Sequence, residues 1–323
     1  MNSIAAHPAS DDCPHVPTHE PSWQESALFV WYDREVGVGG FWRLGQEPVV
    51  AAANSCFGTF TTDGLRFRAN VTGVAMAPTD RGDTYMGLGP ELRADMDGPP
   101  RITAAFPDCE AQLKFEDFHP RYNYAKIAKI GSAEGLAHHF EVAGAVTGEV
   151  RIGKRQLRVN ALGYRDRSWG TRSWNVLRGT RWWPCVFGPD LSIHTLHALT
   201  ESGQFVRFGY AIRDGVAYAV TDSDLVVQLE SDALSPRRGE AILTLENGET
   251  LRLTCEPADG IVMHVRGYTA VESIGTVYLN DRVGFSNLEV CTNASGGNQP
   301  PAFALTSNLE QGLSQRRPLA ASR

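Results

Sequence analysis

Three Asx-Gly dipeptides lie between runs of alternating apolar residues, and together they leave few folds open to the chain. Asp63-Gly64 separates residues 57–60 from Leu65, Phe67, Ala69 and Val71. Asp214-Gly215 separates Tyr210 and Ile212 from Val216, Tyr218 and Val220. Asn247-Gly248 separates Ala241, Leu243 and Leu245 from Leu251, Leu253 and Cys255. Such a pair predicts a hairpin, because a type I′ turn needs φ > 0 at both central residues. Period-two patterning dominates the chain, and 32 glycines supply turns and bulges. Helical periodicity is confined to short stretches, at 26–31 and around Glu230–Leu234. The βαβ alternation of a parallel α/β fold is missing. The prediction is an all-β, antiparallel protein whose sheets close into barrels or sandwiches to avoid free edges.

At 323 residues, two barrel-like units are expected rather than one. The hairpin at Gly153-Lys154 precedes a strong new strand and sets the predicted boundary. The predicted division is a flexible arm over 1–22, β domains over 23–152 and 153–293, and a tail over 294–323. The 37 acidic residues outnumber 30 basic ones, a net charge of −7, which argues against a nucleic-acid partner. No apolar run reaches transmembrane length, and the first residues lack a signal-peptide pattern. A cytoplasmic location is therefore expected. The six cysteines are dispersed with no C-x-x-C pair, so free thiols are expected.

Residues 160–174, NALGYRDRSWGTRSW, concentrate groups that are costly to bury. Strand alternation puts Leu157, Val159 and Ala161 on one face, and Asn160, Leu162, Tyr164 and Asp166 on the other. A face ending in Tyr and Asp suits the lining of a ligand-holding barrel. The structural alternative is an ion pair of Asp166 with Arg165 or Arg172. Trp31 and the Trp182-Trp183 pair belong to further aromatic-basic clusters, which fit a π-rich cavity for a hydrophobic small molecule. Tyr122 and Tyr124 share a face of a predicted pocket-rim loop. His194 and His197 fall on opposite strand faces and cannot share an ion. His138-His139 shows no ligand spacing. No nucleotide-binding, nucleophile-elbow or zinc-protease motif is present. Neither a metal nor an organic cofactor is predicted.

GYRDRSWGTR resembles the G-x-x-D-H-x-W-G-x-R signature of the carotenoid hydratase (hydroxyneurosporene synthase) superfamily, of tandem lipocalin-like fold. ESALFVWYDREVGVGGFWRLGQEP and GFSNLEV resemble its opening and late strands, so the likeness spans residues 20–293. The resemblance implies two lipocalin-like barrels meeting at a shared pocket. It also implies cofactor-independent hydratase, dehydratase, isomerase or cyclase chemistry on isoprenoid-like substrates. The family acid falls on Asp166; Trp169, Gly170 and Arg172 match, and Arg167 replaces the family His. An adjacent Arg would hold Asp166 ionised; an Arg167 pointing away along the strand, as alternation suggests, would allow Asp166 to stay protonated in an apolar pocket. The candidate catalytic residues are Asp166, Tyr164, Arg172 and Glu289, with Glu91 as another second carboxylate. The candidate substrate-binding residues are Trp169, Trp174, Trp31, Tyr122, Tyr124 and Trp183. The alternative is a non-catalytic carrier of a hydrophobic small molecule, and self-association stays open in both readings.

Overall fold

The computed structural model describes residues 6–123, 138–298 and 310–316. Among them there is no α-helix, and none of the described segments is a helix able to cross a membrane. The first sheet contains β1 (Trp23–Asp33), β2 (Val38–Glu47), β3 (Ala52–Thr61), β4 (Leu65–Ala75), β5 (Tyr85–Leu88) and β6 (Leu92–Asp95). It continues with β7 (Arg101–Phe106), β8 (Cys109–Asp117), β9 (Tyr122–Asn123), β10 (His139–Ile152) and β11 (Arg155–Thr171). A closed eight-stranded barrel follows. Its strands are β12 (Leu177–Gly188), β13 (Leu191–Thr200), β14 (Phe205–Arg213), β15 (Val216–Leu229), β16 (Pro236–Leu245), β17 (Thr250–Val265), β18 (Tyr268–Leu279) and β19 (Arg282–Asn293). The last strand, β20 (Gly312–Gln315), returns to the first sheet beside β4. The order of that sheet is β20-β4-β3-β2-β1-β11-β10-β8-β7-β6-β5, with β9 on β10. The protein is all-β, a curled half-barrel followed by a barrel.

All three Asx-Gly hairpins form, but only Asp214-Gly215 has both central residues at positive φ (50° and 76°). At Asp63-Gly64 and Asn247-Gly248 the glycine alone does so (97° and 85°), so these turns are not type I′. Residues 26–31 are strand, not helix. All 11 positions of β1 are buried, because it is central in the sheet and both its faces are covered. An apolar run without alternation is what such a strand requires, and it mimics a short helix. Glu230–Leu234 is likewise a turn between β15 and β16.

The β10–β11 hairpin at Gly153 lies inside the first sheet, since β11 pairs with both β1 and β10. The change of sheet falls at residues 172–176, not at 152/153. Long strands cross the whole curled sheet, so the strongest hairpin is an internal corner. The described part of the arm, residues 6–22, is pinned rather than loose. Asp12 is buried and accepts two bonds from the fully buried Arg165, at 2.6 and 3.1 Å. Glu25 pairs with Arg167 (2.6 Å) and Arg81 (2.5 Å), and it accepts the His15 amide. Burial pushes Glu25 upward, but Arg167, His15 and Arg81 together hold it down at about 2.

Among the described residues, the three largest apolar cores divide between the units and their contact. One fills the curl of the first sheet around Phe29, Trp31, Trp42 and Phe115. Another fills the barrel around Trp183, Ile193 and Leu288. The third lies between the units, with Val30, Phe41 and Tyr164 of the sheet against Trp182, Ile261 and Phe285 of the barrel wall. The β4 and β17 strands fasten this contact. Arg66 pairs with Asp259, Arg68 donates to Val262 O (2.6 Å), and Asn70 exchanges two bonds with the His264 backbone (2.7 and 3.1 Å).

Candidate functional site

The face of the first sheet that meets the barrel carries one polar row. Glu141, Asp166, Leu28, Arg43 and Cys56 are directly opposed on β10, β11, β1, β2 and β3. Opposed residues of antiparallel strands share a face, so the register sets these groups side by side. The facing barrel wall carries Leu196, Trp182, Glu289, Glu272 and Ile261 in a second such row.

Glu141 joins the two rows. Its Oε2 accepts from Tyr164 of the sheet (2.9 Å) and Tyr210 of the barrel (3.1 Å), whose hydroxyls are 2.7 Å apart. Its Oε1 accepts Trp182 Nε1–H at 2.9 Å. His194 Nε2 stands 3.4 Å from Oε2. Burial raises the Tyr164 hydroxyl well above the usual phenol range, and Glu141 and Tyr210 act the same way. Burial lowers His194, so its imidazole is neutral, with Glu141 opposing the shift.

Asp166 is half-buried, and His139 Nε2 lies 3.6 Å from it and 3.6 Å from Glu141 Oε1. Asp166 is paired with neither Arg165 nor Arg172. Arg165 goes to Asp12 and Asp117, while Arg167 turns to the opposite face and pairs with Glu25. Alternation along β11 thus leaves Asp166 facing the inter-unit space, in no ion pair with an arginine among the described residues. The sequence revealed no metal-ligand spacing, yet the fold brings His139, Glu141 and Asp166 together, with one ligand atom of each within 4.8 Å of the others. These three could hold an ion in principle, although the Glu141 oxygens already accept three hydrogen bonds.

On the barrel side, Glu272 and Glu289 are buried and opposed, and neither is ion-paired to a cation among the described residues. Asn287 donates to Glu272 (2.7 Å); Thr180 (2.7 Å) and Tyr268 (3.0 Å) donate to Glu289. Burial raises both acids. The Glu289 charge adds to the shift at Glu272, while hydrogen bonds oppose it at Glu289. Asp166 pushes both further up. Arg43 is buried with Nη1 unpartnered among the described residues. Burial and Arg172 lower its proton affinity, while Asp166 and Glu272 sustain it. Its guanidinium lies 5.9 Å from the Trp174 ring, and that of Arg172 lies 5.2 Å from the same ring. Arg172, Trp174, Trp169 and Gly170 line an open cleft of about 850 Å³ beside this end of the row.

This row and its neighbours sit on a chain whose residues 8–294 match the model of a domain of unknown function, DUF7064. The chain belongs to that family. No curated protein matches the sequence. Among solved structures, it is similar to a Nitrosomonas europaea protein designated AttH, at 12% identity and a TM-score of 0.65, covering 90% of this chain and 97% of that one. CghA is similar at 12% identity and a TM-score of 0.60, with 86% and 90% covered. Kievitone hydratase from Nectria haematococca is similar at 11% identity and a TM-score of 0.62, with 91% and 95% covered. At such identities these likenesses establish the fold that this DUF7064 protein shares with them.

The residues singled out from sequence separate into groups. Asp166, Tyr164 and Glu289 face the inter-unit space. Arg172, Trp169 and Trp174 line the adjoining cleft, with Trp169 stacked on His15 at 3.9 Å. Gly170, at φ 116°, takes a backbone conformation that residues with a Cβ rarely adopt. Tyr122 touches the barrel, donating to Gly215 O at 2.9 Å and packing near Tyr210. Trp31 and Trp183 do not belong to the site. Trp31 is fully buried in the first-sheet core, where its ring occupies the space over Gly40, and Trp183 is fully buried inside the barrel. The adjacent Trp182 faces the site instead, as period two requires. Glu91 is on the rim of an apolar groove of the first sheet, lined also by Val74 and Leu88. Tyr124 lies outside the described residues. His194 and His197 do fall on opposite faces: His194 faces the site and His197 the barrel mouth. Sequence reading set His139 aside and missed Glu141, Tyr210, Arg43 and Glu272. Each is an isolated polar residue in an ordinary strand, and only the packing of the two sheets unites them.

Proposed function

We propose that this protein is a cofactor-independent hydratase, dehydratase or isomerase acting on a C=C bond or alcohol of a hydrophobic, terpenoid-like molecule bound between the two units. The observation that carries this reading is the opposed pair Glu272 and Glu289. Both acids are buried, form no ion pair among the described residues, and have raised pKa values, although Arg43 opposes the shift at Glu272. A carboxylic acid held neutral near pH 7 is the reagent that protonation of an alkene requires.

In the hydration direction, the π electrons of the double bond take the acid proton and form a C–H bond. The adjacent carbocation faces the indole and phenol rings of Trp174, Trp182 and Tyr164, whose quadrupoles stabilise positive charge. Water then forms the C–O bond, and its proton passes to Asp166, with His139 at 3.6 Å as relay. Asp166 then releases its proton to solvent, and the acid pair is reprotonated from solvent, so that no net proton is consumed. Dehydration is the reverse sequence, and loss of a different proton from the cation gives isomerisation. Arg43 and Arg172 orient a polar group of the substrate at the cleft end. A non-catalytic carrier has no use for two buried acids of raised pKa facing Asp166.

The test is turnover of terpene alcohols and alkenes in deuterated water. Deuterium should enter carbon, and Asp166→Asn should reduce turnover by about 10²–10⁴-fold with unfolding and ligand affinity preserved. Glu272→Gln should do the same. Full activity in a folded Asp166→Asn protein would remove that residue from the mechanism. Binding without deuterium exchange would favour the carrier.

A further inference from the structure

We propose that the open end of the second barrel is a separate binding site for an amphipathic anion, a carboxylate head on a single apolar tail. On β12 and β13, Arg181 and His197 are directly opposed, as are Trp183 with Thr195 and Cys185 with Ile193. Trp183, Cys185 and Ile193 fill the barrel core, so Arg181 and His197 face the same lumen, nearer its mouth. They line a cavity of about 470 Å³ with Leu225, Val227, Leu234 and Val290. Leu199 and Phe205 stand at its rim, 39% and 59% exposed. The volume lies within the range of small-molecule sites.

Charge decides the class of ligand. Among the described residues, Arg181 forms no ion pair, and its only hydrogen bonds run from Nη1 to Thr180 O (2.8 Å) and Cys291 O (3.5 Å). Nε and Nη2 are left to the cavity. The neighbouring cation Arg207 is already met by Asp222 (3.4 Å), Asp224 (4.0 Å) and Ser223 O (2.8 Å). His197 is bonded to Ser223 Oγ (2.8 Å), and burial first, then Arg207, brings it down to about 4, so it is neutral. One guanidinium without an ion pair among the described residues thus stands over an apolar chamber. A planar two-donor fork matches a carboxylate, and the leucine and valine walls match its tail. Glu289 of the inter-unit acid pair adds its charge to the surroundings of Arg181 without an ion pair to it among the described residues, and the variants below act on each site separately.

Laurate and lauryl alcohol, titrated calorimetrically into the full chain, test the inference. One laurate should bind per chain, about ten- to a hundredfold more tightly than the alcohol, the worth of a charge-assisted pair. Arg181→Gln should remove that advantage while leaving alcohol binding unchanged. Val227→Trp should fill the chamber and abolish both, and Asp166→Asn should alter neither. The proposal is overturned if the folded protein binds no laurate, or if acid and alcohol bind alike. It is also overturned if laurate binding survives Val227→Trp or disappears with Asp166→Asn. Should Arg181→Gln not fold, the acid-to-alcohol ratio of the parent and the Val227→Trp result decide.

Discussion

Glu141 is the point where the two units hold each other, and replacing it with glutamine should show this in stability. The carboxylate accepts three hydrogen bonds, one from its own sheet and two from Tyr210 and Trp182 of the barrel. A glutamine keeps the shape but has one acceptor oxygen and one NH₂ group. If its oxygen serves the tyrosines, its NH₂ meets the Trp182 N–H, donor against donor; the flipped amide keeps the Trp182 bond but donates to the tyrosine oxygens, so at least one tyrosine hydroxyl loses its acceptor. At least one bond to a charged acceptor is lost, about 1.5–3 kcal/mol, and one buried donor is left unsatisfied, about 1–3 kcal/mol. Glu141→Gln should therefore destabilise by about 2.5–6 kcal/mol. Trp182→Phe removes only one donor and should cost less through this bond. The two substitutions should couple by about 1–3 kcal/mol in a double-mutant cycle. Guanidinium unfolding followed by far-ultraviolet circular dichroism reads all four proteins without relying on Trp182 fluorescence. Strict additivity, or a Glu141→Gln protein within about 0.5 kcal/mol of the parent, would refute the clamp.

Other consequences are equally direct. Glu25 is depressed from 4.5 to about 2 in the folded protein, so its contribution of about 3 kcal/mol is present above pH 4.5 and lost as pH falls toward 2; denaturation as a function of pH should show that slope in the parent and not in Glu25→Gln. Glu272 is raised, so its contribution has the opposite sense, fully present below pH 4.5 and lost as pH rises through its folded pKa; the same ionisation should set the basic limb of the pH–rate profile, and a limb unmoved by Glu272→Gln would exclude it as the acid. Asp12→Asn leaves buried Arg165 with Asp117 as its remaining acid, and should cost about 3–5 kcal/mol and speed proteolysis of the arm. Turnover should survive dialysis against a chelator; loss restored by a divalent cation would reassign His139, Glu141 and Asp166 to metal binding.

What the sequence determined was local. Period two and the Asx-Gly turns specify antiparallel hairpins whatever surrounds them, because side-chain alternation and positive φ are properties of a few consecutive residues. Alternation along β11 also placed Tyr164 and Asp166 together, and it separated His194 from His197. What it could not determine was which strands are covered on both faces. That is why the doubly buried β1 read as a helix, and why the hairpin at Gly153 read as a domain boundary although β11 stays in the first sheet. The tertiary structure alone decided that Trp182 faces the site and Trp183 the barrel core. It alone brought Glu141, Tyr210, Glu272 and Arg43, scattered through the chain, to one interface. Strand register is fixed by pairing and sheet packing by the third dimension, and neither leaves a mark on residues that far apart in sequence.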